Sequence, residues 1–431
     1  MTGSIAERLA AAGLPPLPRM AWLAIDLDAL RDNLAAVRDL AGPGVPVFPV
    51  VKADAYGHGA VPVARALEAA GADGFCVAAV DEGLDLRAGG IRGPIRVLYP
   101  APPGLAAAAA RERIGVSVGS GQGLMTLLAE TERMIESDGQ PLDLELELET
   151  GLGRGGVEPA EVVALAQAIA AAPRTRLVGL WTHLQAPEDV PRTAMQIARF
   201  QAAVDALRHA GLPVPERHIA ASGGLLSDVA ALEGVRPGLA IYGLIPDEFP
   251  PGTLDAAPAG RFRPVMSLHA QPVRVANLPV GHGIGYGPTF TTSRPSRIAT
   301  LPLGYGDGYA RQLSNRGEAL VRGIRVPLVG NVAMDAIMID VTDVPGPPVT
   351  TDDAFVLLGR QGDEVISAAD LARLRTTNTW EVISQMSRRL PRVYDAASAP
   401  VEVRTLIAES LSWHVSSSGM ATSATWRSTR S

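Results

Sequence analysis

The stretch 45–80, VPVFPVVKADAYGHGAVPVARALEAAGADGFCVAAV, holds one full period of the pattern that decides the fold. An apolar, valine-rich run (VPVFPVV, 45–51) leads through a glycine-containing loop into an alanine- and leucine-rich helical pattern (AVPVARALEAAGA, 60–72). A second apolar run, FCVAAV (75–80), follows. Strand, helix, strand in this order is the βαβ unit of a parallel sheet. The period continues with IRVLY (95–99), IGVSV (114–118), LDLELEL (142–148), RLVGLW (176–181), RHIAAS (217–222) and a short run near Gly234–Arg236. Helical patterns lie between, such as EPAEVVALAQAIAAA (158–172) and TAMQIARFQAAVDALRHAG (193–211). Eight alternations over roughly 200 residues favour a closed (β/α)8 barrel over an open sheet. The barrel is expected over residues 21–250, after an N-terminal extension at 1–20.

Beyond Leu244 the texture changes. PDEFPPGTLDAAPAGRFR (246–263) is rich in Pro, Gly and Asp, so 251–263 reads as a linker. From 264 to 409 come Val/Ile/Leu segments separated by Gly and Pro turns, among them QPVRVANLPV (271–280), RIATLPLG (297–304), VPLVG (326–330) and AIMIDVT (336–342). A mainly β C-terminal domain is expected there. The Ser/Thr-rich end, 410–431, reads as a disordered tail.

Composition narrows the function classes. The 431 residues are 47% hydrophobic, ample for a large core, and carry a net charge of −7, which argues against nucleic acid or an anionic membrane as the partner. The lone cysteine, Cys76, excludes an intramolecular disulfide framework and a cysteine-cluster metal site. The first twenty residues carry Glu7 and two arginines and lack the apolar core of a signal peptide, so a cytoplasmic location is expected.

One count stands out. The chain has a single lysine, Lys52, against 37 arginines. Where arginine serves every need for charge, a lone lysine is either a chance survivor or a group whose chemistry arginine cannot perform. A lysine amine can be deprotonated when buried and can condense with aldehydes, whereas a guanidinium stays protonated. Lys52 directly follows the first apolar run, which is the reactive end of a barrel strand. After the seventh and eighth runs come Ala221-Ser222-Gly223-Gly224 and Arg236-Pro237-Gly238-Leu239, small-residue turns able to offer backbone N–H groups to a phosphate. A lysine with two such turns points to a phosphate-bearing aldehyde cofactor, pyridoxal 5′-phosphate.

In LDLELELE (142–149) leucines alternate with acids, so the leucines face the helices and the acids the barrel interior, where they need cationic partners. Arg154 is the nearest in sequence. An exposed edge strand with solvated acids is the alternative. Gly151–Gly156 matches GxGxxG, but the next strand ends in Thr182-His183 rather than the acid that a dinucleotide site requires. His183 is expected at the barrel mouth or as a hydrogen-bonded core residue, and His58 as a residue shaping its loop. No spacing of His, Asp and Glu points to a metal.

These motifs resemble those of the alanine racemase family. VVKADAYGHG (50–59) looks like the family's cofactor-lysine motif. The likeness continues through ETGLGRGG, GLWTH, Ala221–Gly224, VRPGLAIYG, GIGYGPTF, LPLGYGDGYARQLSN, VGNVAMDAIMID and NTWEVISQMSRRLPRVY, in family order over about residues 20 to 400. The resemblance implies a barrel followed by a β domain, racemisation of alanine with pyridoxal phosphate, and a homodimer with shared active sites. Lys52 would hold the cofactor and act as one base, and Tyr286 of the partner subunit as the other. Arg236 would face the pyridine nitrogen, with His183 orienting it, and Arg154 the phenolic oxygen. Tyr56, Ser222, Gly238 and Leu239 would hold the phosphate. Tyr305 and Met334 would wall the substrate pocket, with Arg311 and Asp335 at its entrance.

Three positions depart from the family pattern. Glu147 stands where many relatives have a lysine, and is expected to pair with Arg154. Arg388 stands where relatives usually have a phosphate-contacting tyrosine; it is expected to bind the phosphate in that residue's place, but its size and charge beside the substrate open a broad-specificity racemase (serine, larger or basic amino acids) as an alternative. Ala221 and Ala333 replace the family's usual Asn and Cys. A pyridoxal-phosphate carrier and a fold-related decarboxylase are further alternatives, disfavoured by the β domain and by the Tyr286 motif.

Overall fold

The computed structural model describes residues 3–133, 140–249 and 261–406; the expected tail at 410–431 and most of the expected linker lie outside them. Six parallel strands run in chain order around a TIM-like barrel: Phe75–Val77, Ile95–Pro100, Ile114–Val118, Leu142–Glu147, Thr175–Trp181 and Glu216–His218. The first and eighth runs complete the ring through isolated bridges rather than strands. Val47 pairs with Val235, Val50 with Cys76, and Ala221 with Arg236. Pro46, Pro49 and Pro237 explain the difference, because each removes a ladder donor from a segment that is otherwise extended.

The second region is mainly β, as expected. One eight-stranded sheet carries Met266–Ala270, Glu318–Val321, Ile324–Pro327, Phe355–Gln361, Glu364–Ile366, Arg392–Ala396 and Ala399–Arg404; a three-stranded sheet joins Arg274–Leu278, Ser296–Leu301 and Ile337–Asp340. The eighth strand of the large sheet is Ala21–Asp26. The sequence places it within the barrel region, 21–250, yet it pairs antiparallel with Met266–Ala270 and parallel with Arg392–Ala396. Packing accounts for this placement. Trp22 clusters with Leu9 and Val393 and stacks on His269 at 5.5 Å, while Leu23 and Ile25 enter the shared core. Asp26 then caps the helix Leu27–Ala41, its carboxylate accepting from Ala29 N at 2.8 Å, and that helix carries the chain to the barrel. The β sheet therefore takes its strands from both before and after the barrel. No helix among the described residues is long and apolar enough to cross a membrane.

Candidate active site

Barrel strands deliver alternate side chains to the interior, and the acids of LDLELELE obey that period. Glu145 and Glu147 are buried inside, while Asp143, at the other end of the strand, pairs with Arg176 at 2.7 Å. The GxGxxG segment is a loop that returns to its own strand, with Val157 bridged to Leu148.

At the C-terminal ends of the strands lies a cavity of about 460 Å³, lined by Lys52, Tyr56, His183, Ser222, Arg236, Gly238 and Leu239 among others. Lys52 opens an unusual turn. Ala53, Asp54, Ala55 and Tyr56 all take positive φ, between +51° and +55°, a left-handed conformation that L-residues avoid in succession. Local and distant bonds hold it. Glu82 accepts from Ala53 N at 2.7 Å, Asp54 from Ala60 N at 2.8 Å, and His58 Nδ1 bonds the carbonyls of Ala55 and Tyr56, the loop-shaping part expected of that histidine. Burial, and secondly the charge of Arg154, push the Lys52 pKa below its ordinary value.

The two glycine-bearing turns are tied together. Ser222 Oγ accepts from Gly238 N at 2.9 Å and from Ala240 N at 3.2 Å. Glycine is needed at 238 because a Cβ there would lie 2.7 Å from the Tyr56 hydroxyl. An amine, two hydroxyls and small-residue turns thus converge on one cavity, a donor set that fits an aldehyde bearing a phosphate.

Arg236 is fully buried on the cavity floor. Its Nη2 donates to Thr182 O at 2.9 Å, its Nη1 to His218 O at 2.8 Å and to His218 Nδ1, and its guanidinium lies 4.8 Å from the Trp181 ring centroid. Burial lowers its pKa to about 10, so it remains a cation at neutral pH. The histidine that holds it is therefore His218, not His183. His183 lines the cavity instead, its pKa lowered to about 3 by burial and then by the charge of Arg236. The sequence marks His218 only as a second candidate, at the end of the seventh strand.

Arg154 Nη2 donates to Glu147 Oε1 at 3.3 Å, the pairing expected from the sequence. Arg388 does not line the cavity. Its Nε lies 3.9 Å from Asp54 Oδ2, and it borders a separate cleft of about 250 Å³ with Arg392 and Arg404. Tyr286 (83% exposed), Met334 (51%) and Tyr305 (43%) also stand outside the cavity of their own chain. Tyr305 and Met334 are neighbours, since Tyr305 N bonds Ala333 O and Gly306 N bonds Met334 O, both at 3.0 Å. Asp335 pairs with Arg389, and Arg311 reaches Val332 O at 3.4 Å, so these residues form one exposed face. The Tyr286 loop is pinned by Asn331 Nδ2, which donates to the carbonyls of Tyr286 and Gly287.

Comparison with known proteins agrees with this geometry. The family model for the alanine racemase N-terminal domain matches residues 25–246, and that for the C-terminal domain matches residues 265–394. An alanine racemase of Symbiobacterium thermophilum is 41% identical over 88% of this chain and 98% of its own length. The crystal structure of an alanine racemase from Bacillus anthracis is 32% identical, with a TM-score of 0.81 over 90% of this chain and 98% of that one. A histidine racemase from Leuconostoc mesenteroides shares the fold at 28% identity and a TM-score of 0.78, covering 88% and 99%, so the scaffold alone does not fix the substrate side chain. Barrel, β domain, cavity and sequence together show that this chain belongs to the alanine racemase family.

Proposed function

We propose that this chain interconverts L- and D-alanine, using pyridoxal 5′-phosphate held on Lys52, as a homodimer whose sites are completed by Tyr286 of the second copy. The observation that carries the reading is the placement of the only lysine: half-buried at the barrel mouth, with a lowered pKa, in a cavity that Ser222, Tyr56 and Arg236 also line. The bound cofactor supplies an aldehyde for the substrate amine and a ring that withdraws charge from Cα.

The side chains do the rest. Lys52 Nζ moves the Cα proton on one face, its desolvation bringing the amine toward neutrality. The opposite face needs a second base. Tyr286 is exposed and outside its own chain's cavity, which suits a residue that serves a neighbouring copy. Arg236 would donate to the pyridine nitrogen of the bound cofactor and keep its own proton, which would restrain the ring's electron withdrawal and limit side reactions. Arg154, braced by Glu147, would face the phenolic oxygen. Tyr56, Ser222 and the turn at Gly238–Leu239 hold the phosphate, and Tyr305, Met334, Arg311 and Asp335 of the second copy shape the substrate entry.

The broad-specificity reading depended on Arg388 beside the substrate. With that side chain turned to Asp54 and away from the cavity, alanine is the reading the geometry favours. Assaying D/L interconversion across a panel of amino acids tests it: alanine should be turned over best, and faster turnover of serine or a basic amino acid would replace it. Loss of the α-¹H signal in D2O with the amino acid retained separates racemisation from a carrier, and CO2 release would mark a decarboxylase.

A further inference from the structure

Beneath the cavity floor, four ionisable side chains form a chain across the barrel interior. Arg96 Nε lies 3.3 Å from Glu145 Oε1, and Glu145 Oε2 lies 3.4 Å from His218 Nε2. His218 Nδ1 in turn meets Arg236 Nη1. Glu145 and His218 are 2% and 0% exposed. Neither Glu145 Oε2 nor His218 Nε2 has a hydrogen-bond partner elsewhere among the described residues, so each faces only the other.

The donors and acceptors fix the protons. A guanidinium carries only N–H groups, so the His218 nitrogen that meets Arg236 must be bare. The imidazole proton then sits on Nε2, aimed at Glu145, which must be an ionised acceptor. A doubly protonated ring would set N–H against N–H. The alternation of cation, anion, neutral ring and cation is self-consistent: burial opposes ionisation of Glu145, but the charge of Arg96 and the hydrogen bond from His218 outweigh it and hold the carboxyl below its ordinary pKa. The neighbouring strand makes room for the carboxylate: a Cβ on Gly179 would lie 2.8 Å from its carboxyl carbon.

We propose that Glu145 is a positioning residue of the active site, acting through His218 to hold Arg236 in the orientation that it presents to the cavity. The inference rests on the reading that Arg236 faces the cofactor's ring nitrogen. Glutamine at 145 cannot replace the carboxylate, because Arg96 Nε and His218 Nε2 both donate and an amide offers only one acceptor oxygen. One neighbour would then face an N–H group, and His218 would lose its tautomer preference.

The test uses full-length protein with ¹⁵N-labelled histidine, without added cofactor, and then the loaded enzyme. Wild type should show His218 as the neutral Nε2–H tautomer at neutral pH, with the resonance assigned through His218→Gln. In Glu145→Gln that signature should weaken or invert. The loaded variant should show an altered cofactor absorbance and a kcat lowered about tenfold or more, with KM for alanine within about twofold. An imidazolium or Nδ1–H tautomer in wild type overturns the proposal even if the variant fails to fold. So does a variant with an altered tautomer but wild-type absorbance and kcat. Wild type that shows the expected tautomer but takes up no pyridoxal phosphate removes the functional reading, and the proposed role with it.

Discussion

Arg392, at the start of the strand Arg392–Ala396, donates through Nε and Nη2 to the carbonyl oxygen of Gly57, at 3.0 and 2.9 Å. Gly57 closes the left-handed turn that begins at Lys52. The same guanidinium also binds the carbonyls of Met386, Ser387 and Leu390, while Tyr394 OH donates to His58 O and Arg404 to Asp54. Four successive left-handed residues cost roughly 1–2 kcal/mol each, so the turn persists only because its surroundings over-determine it. The β domain thus shapes the loop that carries the reactive amine.

Replacing Arg392 with methionine therefore leaves the Gly57 carbonyl buried and unpaired. The expected loss is about 3 kcal/mol or more in chemical denaturation, together with weaker uptake of pyridoxal phosphate by fluorescence titration. Wild-type stability and cofactor affinity in that variant would show that the turn stands without the β domain.

Glu147 should matter through Arg154. Glu147→Gln keeps the shape and removes the charge, so kcat/KM for alanine should fall about tenfold, equivalent to about 1.4 kcal/mol, with a shift in the absorbance of bound cofactor. Unchanged turnover and absorbance would remove the carboxylate from the account.

A shared site predicts complementation. Lys52→Ala and Tyr286→Phe should each be nearly inactive as pure proteins. Subunits mixed and reassociated at equal amounts should recover about a quarter of wild-type activity, because half the dimers carry one intact site. No recovery after verified exchange would place both bases in one chain.

Acid stability follows from buried histidines. Burial holds His58, His218 and His269 near pKa 4 and His183 near 3. The unfolded chain takes up these protons as pH falls through about 6.5, and the native protein only near 4, so stability is complete above pH 6.5 and is lost toward pH 4. Each histidine contributes a slope of up to about 1.4 kcal/mol per pH unit. Glu145, with its pKa lowered to about 2, extends the loss below about pH 4.5. Denaturation curves between pH 7 and 4.5 should show uptake of more than two protons on unfolding; a flat profile contradicts the burial argument.

Much of this was legible in the residues. The period of apolar runs gave the barrel, and the alternation in LDLELELE put Glu145 and Glu147 inside. What escaped was set by contacts remote in sequence. Ala21–Asp26 reads as one more apolar run, and only its partners near residues 266 and 392 assign it to the β sheet. His183 and His218 both end barrel strands, and spacing along the chain cannot say which one meets Arg236. Arg388 holds the sequence position of a phosphate ligand, but its side chain lies near Asp54 and outside the cavity, a placement that only the folded chain shows.

The central claim is settled most directly by reducing the cofactor-loaded protein with borohydride, digesting it and sequencing the labelled peptide by mass spectrometry. The account predicts a single phosphopyridoxyl adduct, on Lys52. A protein that stays colourless with pyridoxal phosphate, or that yields no adduct at Lys52, contradicts it.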